Sequence, residues 1–506
     1  MSMAMGRCSR SLTTEQQSLP KVPIIGVRPG QWLFPLARAR LRNTFKLKDS
    51  LAALYRNHKD ETSILPVLGL GDLVFLPIRE LQWLAEQPDT IANSHQLFGD
   101  FLQTDHTIPG PPLAHDHLHV QLIQNKLTRE TGNLIPAMHD ESKRTSDELW
   151  GTDTDRWREI DALPVVQHMT AQIIIRVFVG APLCRNKKLQ DVAIAFTNDV
   201  AIAAVILRLL WAPLRPLFAP LITIPNRVHL WQYWWIIRSE VERRLRLHDA
   251  KSNPGKLTVD EKEPNDFLQW SIEQARGLAD PTQAEPYILS RRLSIVNFAS
   301  IHTTSLTLMH VLVDLTRDPT YISTLREEIT AALDAHGGRW TKATLADMTK
   351  LDSAIRESQR LNNGNFYTVI RKIIAKDGLT TPSGIHLPYG TIVGGPGYAI
   401  HHDSAIYSDP DEYRPFRFSD MAESLGDGKR TKLSLVNTGV DYQVFGHGRL
   451  ACPGRFYASA KLKILLGHLL LHYDFESLPR QKLDMWRVAS QIGGLSPKLR
   501  VRRRKL

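Results

Sequence analysis

The sequence predicts a mainly α fold with a small β region, and three observations carry that prediction. Beyond an early hairpin, the apolar spacing is mostly helical to about residue 360. Between Leu361 and Tyr398, β-branched runs alternate with Gly and Pro, as in Gly378 to Gly390, which is the pattern of short strands and turns. Pro286 to Asp318 reads as one long helix, because Pro286 suits a first turn and Pro319 stops a helix. Its apolar residues, among them Leu289, Leu293, Val296, Leu308 and Leu312, fall on several faces, so it must run through the core. At 1.5 Å per residue such a helix spans roughly 50 Å.

The elements follow in order. Met1 to Pro20 is polar and carries no apolar run of a signal peptide. Ile64 to Pro77 holds two short apolar runs around Gly69-Leu70-Gly71-Asp72, a β-hairpin whose Gly-x-Gly is a turn, since no helix-opening pattern follows it. His115, His117 and His119 stand at i, i+2, i+4, which suits neither one helical face nor a zinc pattern, so they read as a polar loop entering a helix. Val200 to Pro225 is apolar but interrupted by Arg208, Arg215 and three prolines. It reads equally as a segment lying in a membrane interface or as a buried helix followed by a proline-rich loop. Lys251 to Asn265 and Ala422 to Gly439 are too polar to bury much surface and read as exposed loops. No stretch reaches 18 uninterrupted apolar residues, so no spanning helix is expected.

Composition narrows the class. With 42% hydrophobic and 23% charged residues over 506 positions, the chain is globular with a large core. Three cysteines, Cys8, Cys184 and Cys452, form no C-x-x-C pair, which excludes a disulfide framework and argues for a reducing compartment. The net charge of +11 serves solubility first, and an acidic partner or anionic membrane second. The basic run Arg502 to Lys505 lacks the aromatic interleaving and zinc spacing of a nucleic-acid binder.

One cysteine needs its own explanation. Phe445-Gly446-His447-Gly448-Arg449-Leu450-Ala451-Cys452-Pro453-Gly454-Arg455 precedes an apolar helical run, Phe456 to Leu471. Glycines let the loop turn tightly and approach a flat ligand, and a helix N-terminus stabilises a thiolate. Such a thiolate in an apolar pocket suits haem iron, with Phe445 covering the sulfur. A buried free cysteine beside a glycine turn is the plainer alternative.

The spacing F-x-x-G-x-x-x-C-x-G resembles the haem signature of cytochromes P450, in the FGHG-x-x-ACPGRF form of fungal enzymes. Glu357-Ser358-Gln359-Arg360 resembles the family's E-x-x-R, and Pro410 to Phe418 its P-x-x-F-x-P-x-R-F. The resemblance implies a structural charge triad of Glu357, Arg360 and Arg417. Ala299 to Thr304 is similar to the segment that crosses the oxygen-binding face, with Thr303 in the place of the threonine that relays protons. His302 stands where an acid is usual; it implies either a neutral relay or a packing residue. Leu450 replaces the usual propionate partner, so the resemblance leaves Arg371, Arg449 and Lys126 as the cationic candidates. Gly448 and Gly454 would let the loop approach the cofactor.

The resemblance covers about residues 20 to 500 and implies one catalytic domain over 21–506 after a polar segment 1–20. It implies a cytochrome P450 fold holding haem b through Cys452, and a monooxygenase taking electrons from NADPH through NADPH-cytochrome P450 reductase. The expected substrate is an apolar secondary metabolite, terpenoid or meroterpenoid. A redox-neutral haem-thiolate isomerase or dehydratase and a non-catalytic haem protein are the alternatives, and Thr303 favours oxygen activation over both. Relatives begin with a membrane anchor that this N-terminus does not show. The expectation is therefore either a truncated N-terminus or peripheral contact with the cytosolic face of the endoplasmic reticulum through Ala203 to Ile224, without nucleic acid.

Overall fold

The computed structural model describes residues 22–27, 33–108, 118–251, 263–364, 366–425, 433–477 and 496–505. His115, His117, Cys8 and the segment 1–20 lie outside these residues. Among the described residues helices dominate, with ten short strands: β1 (Ser63–Val67), β2 (Gly71–Phe75), β3 (Ala92–Asn93), β4 (Arg158–Asp161), β5 (Thr368–Ile373), β6 (Leu379–Thr380), β7 (His386–Leu387), β8 (Ile392–Gly395), β9 (Tyr473–Phe475) and β10 (Lys498–Arg503).

The central helix runs Pro286–Leu315, with Pro286 in its first turn and the next helix opening at Pro319. Its apolar residues are buried on several sides because it packs against the helices Ala162–Phe178, Lys187–Leu209, Ile224–Lys251 and Thr349–Leu361. The cysteine loop feeds the helix Arg455–His472, which packs on both the central helix and the helix Thr128–Trp150. These elements share one large apolar cluster.

The predicted hairpin is present: β1 and β2 pair antiparallel from Ser63↔Phe75 to Val67↔Gly71, with Gly69 and Gly71 at positive φ. It continues into a five-stranded sheet of order β1-β2-β8-β5-β3. The small β region between Leu361 and Tyr398 supplies β5 to β8, as expected.

Three expectations change. The proline-rich segment is not a loop: after the helix Lys187–Leu209 come a 3-10 turn, a short helix Arg215–Ile222 and the helix Ile224–Lys251. Pro216 falls in the first turn of the short helix, where a missing N–H costs nothing. The polar stretch from Ala422 begins inside the helix Arg417–Leu425. The terminal basic run starts on β10, the middle strand of a sheet of order β4-β10-β9, and has internal partners, since Arg502 pairs with Asp474, Arg503 with Asp147 and Lys505 with Asp155.

Two helices, Lys187–Leu209 and Pro286–Leu315, are long and apolar enough to cross a membrane by length and composition. Both pack against other helices here. The region after Lys187–Leu209 leaves Trp211, Leu217, Leu221, Trp231 and Trp235 more than half exposed.

Candidate functional site

The cysteine loop is closed by its own backbone. The Cys452 N–H donates to the Phe445 carbonyl at 2.7 Å, and the Gly446 N–H donates to the Gln443 carbonyl. Gly446 and Gly448 sit at φ 71° and 74°, where a side chain is strained, and a Cβ on Gly448 would also meet Ala85 at 3.0 Å. Gly454 differs: its φ is −85°, and a Cβ there would meet only Ile123 at 3.9 Å. Protein packing therefore does not demand glycine at 454. Phe445 is partly buried against the main core.

Burial raises the Cys452 thiol pKa, while the Gly454 and Arg455 N–H groups and the Arg455 charge pull it back. Arg455 also ties the loop down, donating from Nη1 to the Cys452 carbonyl at 2.9 Å and from Nε to the Val436 carbonyl at 3.1 Å. It lies in the quoted motif, yet the sequence reading gave it no role.

Behind the loop, the predicted triad is assembled and buried. Glu357 takes both Nε (2.8 Å) and Nη2 (2.9 Å) of Arg360, and Nε of Arg417 at 2.9 Å. The remaining donors go to carbonyls, Arg360 to His401 and Pro410, Arg417 to Ser408 and Asp409. His401 carries the cluster to the loop, because its Nε2 accepts the Gln443 N–H at 3.0 Å. The i, i+3 spacing on one helix and the later arginine were the signals for this cluster.

Arg371 is the opposite case. It is 3% exposed on β5, its Nη1 donates to the Ile370 carbonyl, and its Nε and Nη2 have no hydrogen-bond partner among the described residues. Burial lowers its pKa to about 10; Asp89 offsets part of this and Arg449 opposes it. Arg449 itself is mostly exposed and makes a long 3.6 Å ion pair with Asp89. The β5–β8 register shifts between Thr368 and Arg371, where Val369 adopts φ 51°, a conformation a β-branched residue rarely takes. Asp89 and the Val369 kink had no sequence signal.

On the central helix, Ala299 and Thr303 are exposed although their neighbours Ile301 and Thr304 are buried. The Thr303 hydroxyl donates to the Ala299 carbonyl at 3.0 Å. His302 turns elsewhere, its Nδ1 lying 3.4 Å from the Gln167 side-chain nitrogen on the helix Ala162–Phe178, and burial lowers its pKa. Lys126 is also drawn away, with Nζ over the Trp270 ring at 5.9 Å. The structure thus gathers Cys452, Phe445, Gly448 and Gly454 in one loop, and Arg449 with Arg371 beside Asp89.

Comparison with known proteins bears on this arrangement. A family model described as Cytochrome P450 matches residues 112–499. The chain is 30% identical over 500 residues to cytochrome P450 monooxygenase gloP of Glarea lozoyensis, covering 95% of this chain and 90% of that protein. It is 34% identical over 425 residues to cytochrome P450 monooxygenase 151 of Postia placenta, covering 83% and 82%. It is also 33% identical to cytochrome P450 monooxygenase htyF of Aspergillus rugulosus, covering 90% of this chain and 68% of that one.

Proposed function

The chain belongs to the cytochrome P450 family, and on that premise we propose that residues 21–506 are one catalytic domain that oxidises an apolar secondary metabolite, terpenoid or meroterpenoid. The observation that carries the reading is a closed loop presenting a half-buried Cys452, together with a buried Arg371 whose Nε and Nη2 have no hydrogen-bond partner among the described residues. The family implies haem with a cysteine thiolate, and these residues fit it. Cys452 would supply the thiolate, with two backbone N–H groups to spread its charge. Arg371 and Arg449 would pair the carboxylates of haem, and the room at Gly454 suits a flat face. Haem, when bound, supplies the reductive activation of O2 and transfer of one oxygen atom.

The chain's own residues position and meter. The Thr303 hydroxyl has one donor and two acceptor sites; bonded to Ala299, it keeps an acceptor free, and rotation makes it a donor. It is the proton-holding group of this reading. His302, kept neutral by burial and set against Gln167, is a second proton carrier at one remove. Glu357, Arg360 and Arg417 brace the loop without touching substrate.

Electrons would come from NADPH through a separate reductase, whose acidic surface the +11 charge would attract. The exposed Trp211, Leu217, Leu221, Trp231 and Trp235 favour peripheral contact with the cytosolic face of the endoplasmic reticulum, since Trp prefers the membrane–water interface. Turnover of candidate extracts with NADPH and reductase, followed by mass analysis, tests the proposal. Oxygenated product that requires both supports it; conversion with neither contradicts it.

A further inference from the structure

Cys452 and Arg371, the two groups assigned to haem, stand on elements distant in sequence, and one buried side chain joins those elements. Gln443, which enters the cysteine loop two residues before Phe445, is fully buried. Its N–H donates to His401 Nε2 at 3.0 Å, and its carbonyl accepts the Gly446 N–H at 2.9 Å. Its side-chain Nε2 donates to the Val440 carbonyl at 2.6 Å, and its Oε1 accepts from the Thr368 hydroxyl at the start of β5. Each nitrogen and oxygen of Gln443 is therefore engaged. The residue ties together the braced cluster through His401, the loop through Gly446 and the strand through Thr368.

Thr368 is where β5 is fixed. A Cβ on Gly394 would meet the Thr368 carbonyl at 2.7 Å, and one on Gly397 would collide with the Thr368 side chain. The chain around β8 thus seats Thr368 closely only because these positions are glycine. The ladder pairs Thr368 with Gly395 and Arg371 with Val393, so β5 holds one extra residue between them, at the Val369 kink. In an unbroken strand, residues three apart face opposite sides. Here the partners on β8 are two apart, so Thr368 and Arg371 share one face of the sheet. The face that meets Gln443 is the face that presents Arg371. An apolar side chain of similar volume would fill the same space. A buried amide–hydroxyl bond adds little net stability, but it fixes a single geometry.

We propose that Gln443 is a positioning residue: through Thr368 it sets the kinked strand against the cysteine loop, so that Arg371 and Cys452 meet the same haem. The proposal rests on the haem-thiolate reading of the site and names a residue that acts on it through others.

The test is a cycle of variants read by haem loss from the loaded protein to an excess of scavenging globin. Thr368→Val keeps the side-chain shape and removes the hydroxyl; it should speed haem loss about fivefold or more. Thr368→Ser keeps the hydroxyl and should stay within about twofold of wild type. In an Arg371→Met background, Thr368→Val should add no more than about twofold, because the group it positions is gone. A bond that only supports the fold would speed loss by the same factor in both backgrounds, and that result would overturn the proposal. Unchanged haem loss in Thr368→Val would overturn it as well. If Thr368→Val loses its helical circular dichroism, Gln443→Asn, whose shorter amide withdraws from Thr368, takes its place in the same cycle with the same expected factors. The reduced, CO-bound spectrum of wild type separates the two failures. A wild type without the thiolate-type band would overturn the reading of the site and the proposal with it; a wild type with that band and equal factors in both backgrounds would overturn the proposal alone.

Discussion

Two charged clusters touch the cysteine loop, and they are built on opposite terms. The triad of Glu357, Arg360 and Arg417 is buried with its ionic groups paired and further donors placed on carbonyls. Arg371 is buried as deeply, yet two of its nitrogens lack partners among the described residues, and its nearby acid, Asp89, is already in loose contact with Arg449. A closed cluster fixes shape, since every desolvated charge is compensated within the chain. An open one is poised for a charge the chain does not supply. The contrast separates bracing residues from binding residues.

The largest effect is expected from breaking the closed cluster. Glu357→Ala leaves two guanidinium groups buried without their carboxylate, which typically costs about 3–5 kcal/mol. Urea unfolding would show a lower midpoint with an unchanged slope. A loss below about 1 kcal/mol would mean that the cluster does not brace the loop.

Arg371→Met should act in the reverse sense. Without haem, replacing an incompletely partnered buried charge by an apolar side chain leaves stability unchanged or raises it. With haem, losing a charge-assisted contact of about 1.5–3 kcal/mol should speed haem loss roughly 10- to 100-fold. Transfer of haem to an excess of scavenging globin measures this. A variant that is less stable without haem and retains it normally would erase the contrast between the clusters.

Acid should reach the closed cluster before the open one. Burial, with the charges of His402, Arg360 and Arg356, holds the His401 pKa well below its ordinary 6.5. A histidine lowered on folding contributes stability above its unfolded pKa and loses it as pH falls below that value. Arg371 stays charged across this range, because its lowered pKa is still about 10. The melting temperature should therefore fall between pH 7 and pH 5. His401→Asn should flatten that fall while lowering the value at pH 7, and Arg371→Met should leave its slope unchanged.

Thr303→Ala is expected to move stability least, within about 0.5 kcal/mol, since the Thr303 hydroxyl bonds only the Ala299 carbonyl of its own helix. Product formed per NADPH consumed should nonetheless drop. Unchanged coupling would remove the proton-holding role.

Much of the site was legible because its parts are local in sequence. The loop from Phe445 to Arg455 is one continuous motif, and Glu357 and Arg360 share a helix face. The central helix declared itself by its length, its prolines and its all-round apolarity. Less legible were features fixed by packing between distant elements. His302 faces Gln167 because the helix Ala162–Phe178 packs on that side, and one residue of helical phase, about 100°, separates it from Thr303. Lys126 is claimed by Trp270, and Asp89 joins Arg371 and Arg449 only through the fold. The prolines of 213–220 suggested a loop, yet Pro216 falls where a helix tolerates it. The basic tail became a strand because Asp474, Asp147 and Asp155 lie beside it.

The central claim is that Cys452 is the thiolate ligand of haem, and its most direct test is the reduced, CO-bound spectrum of wild type and Cys452→Ser. The account predicts the thiolate-type band in wild type and its loss in the variant, with the helical circular dichroism retained. A Cys452→Ser protein that kept the thiolate-type band would contradict it.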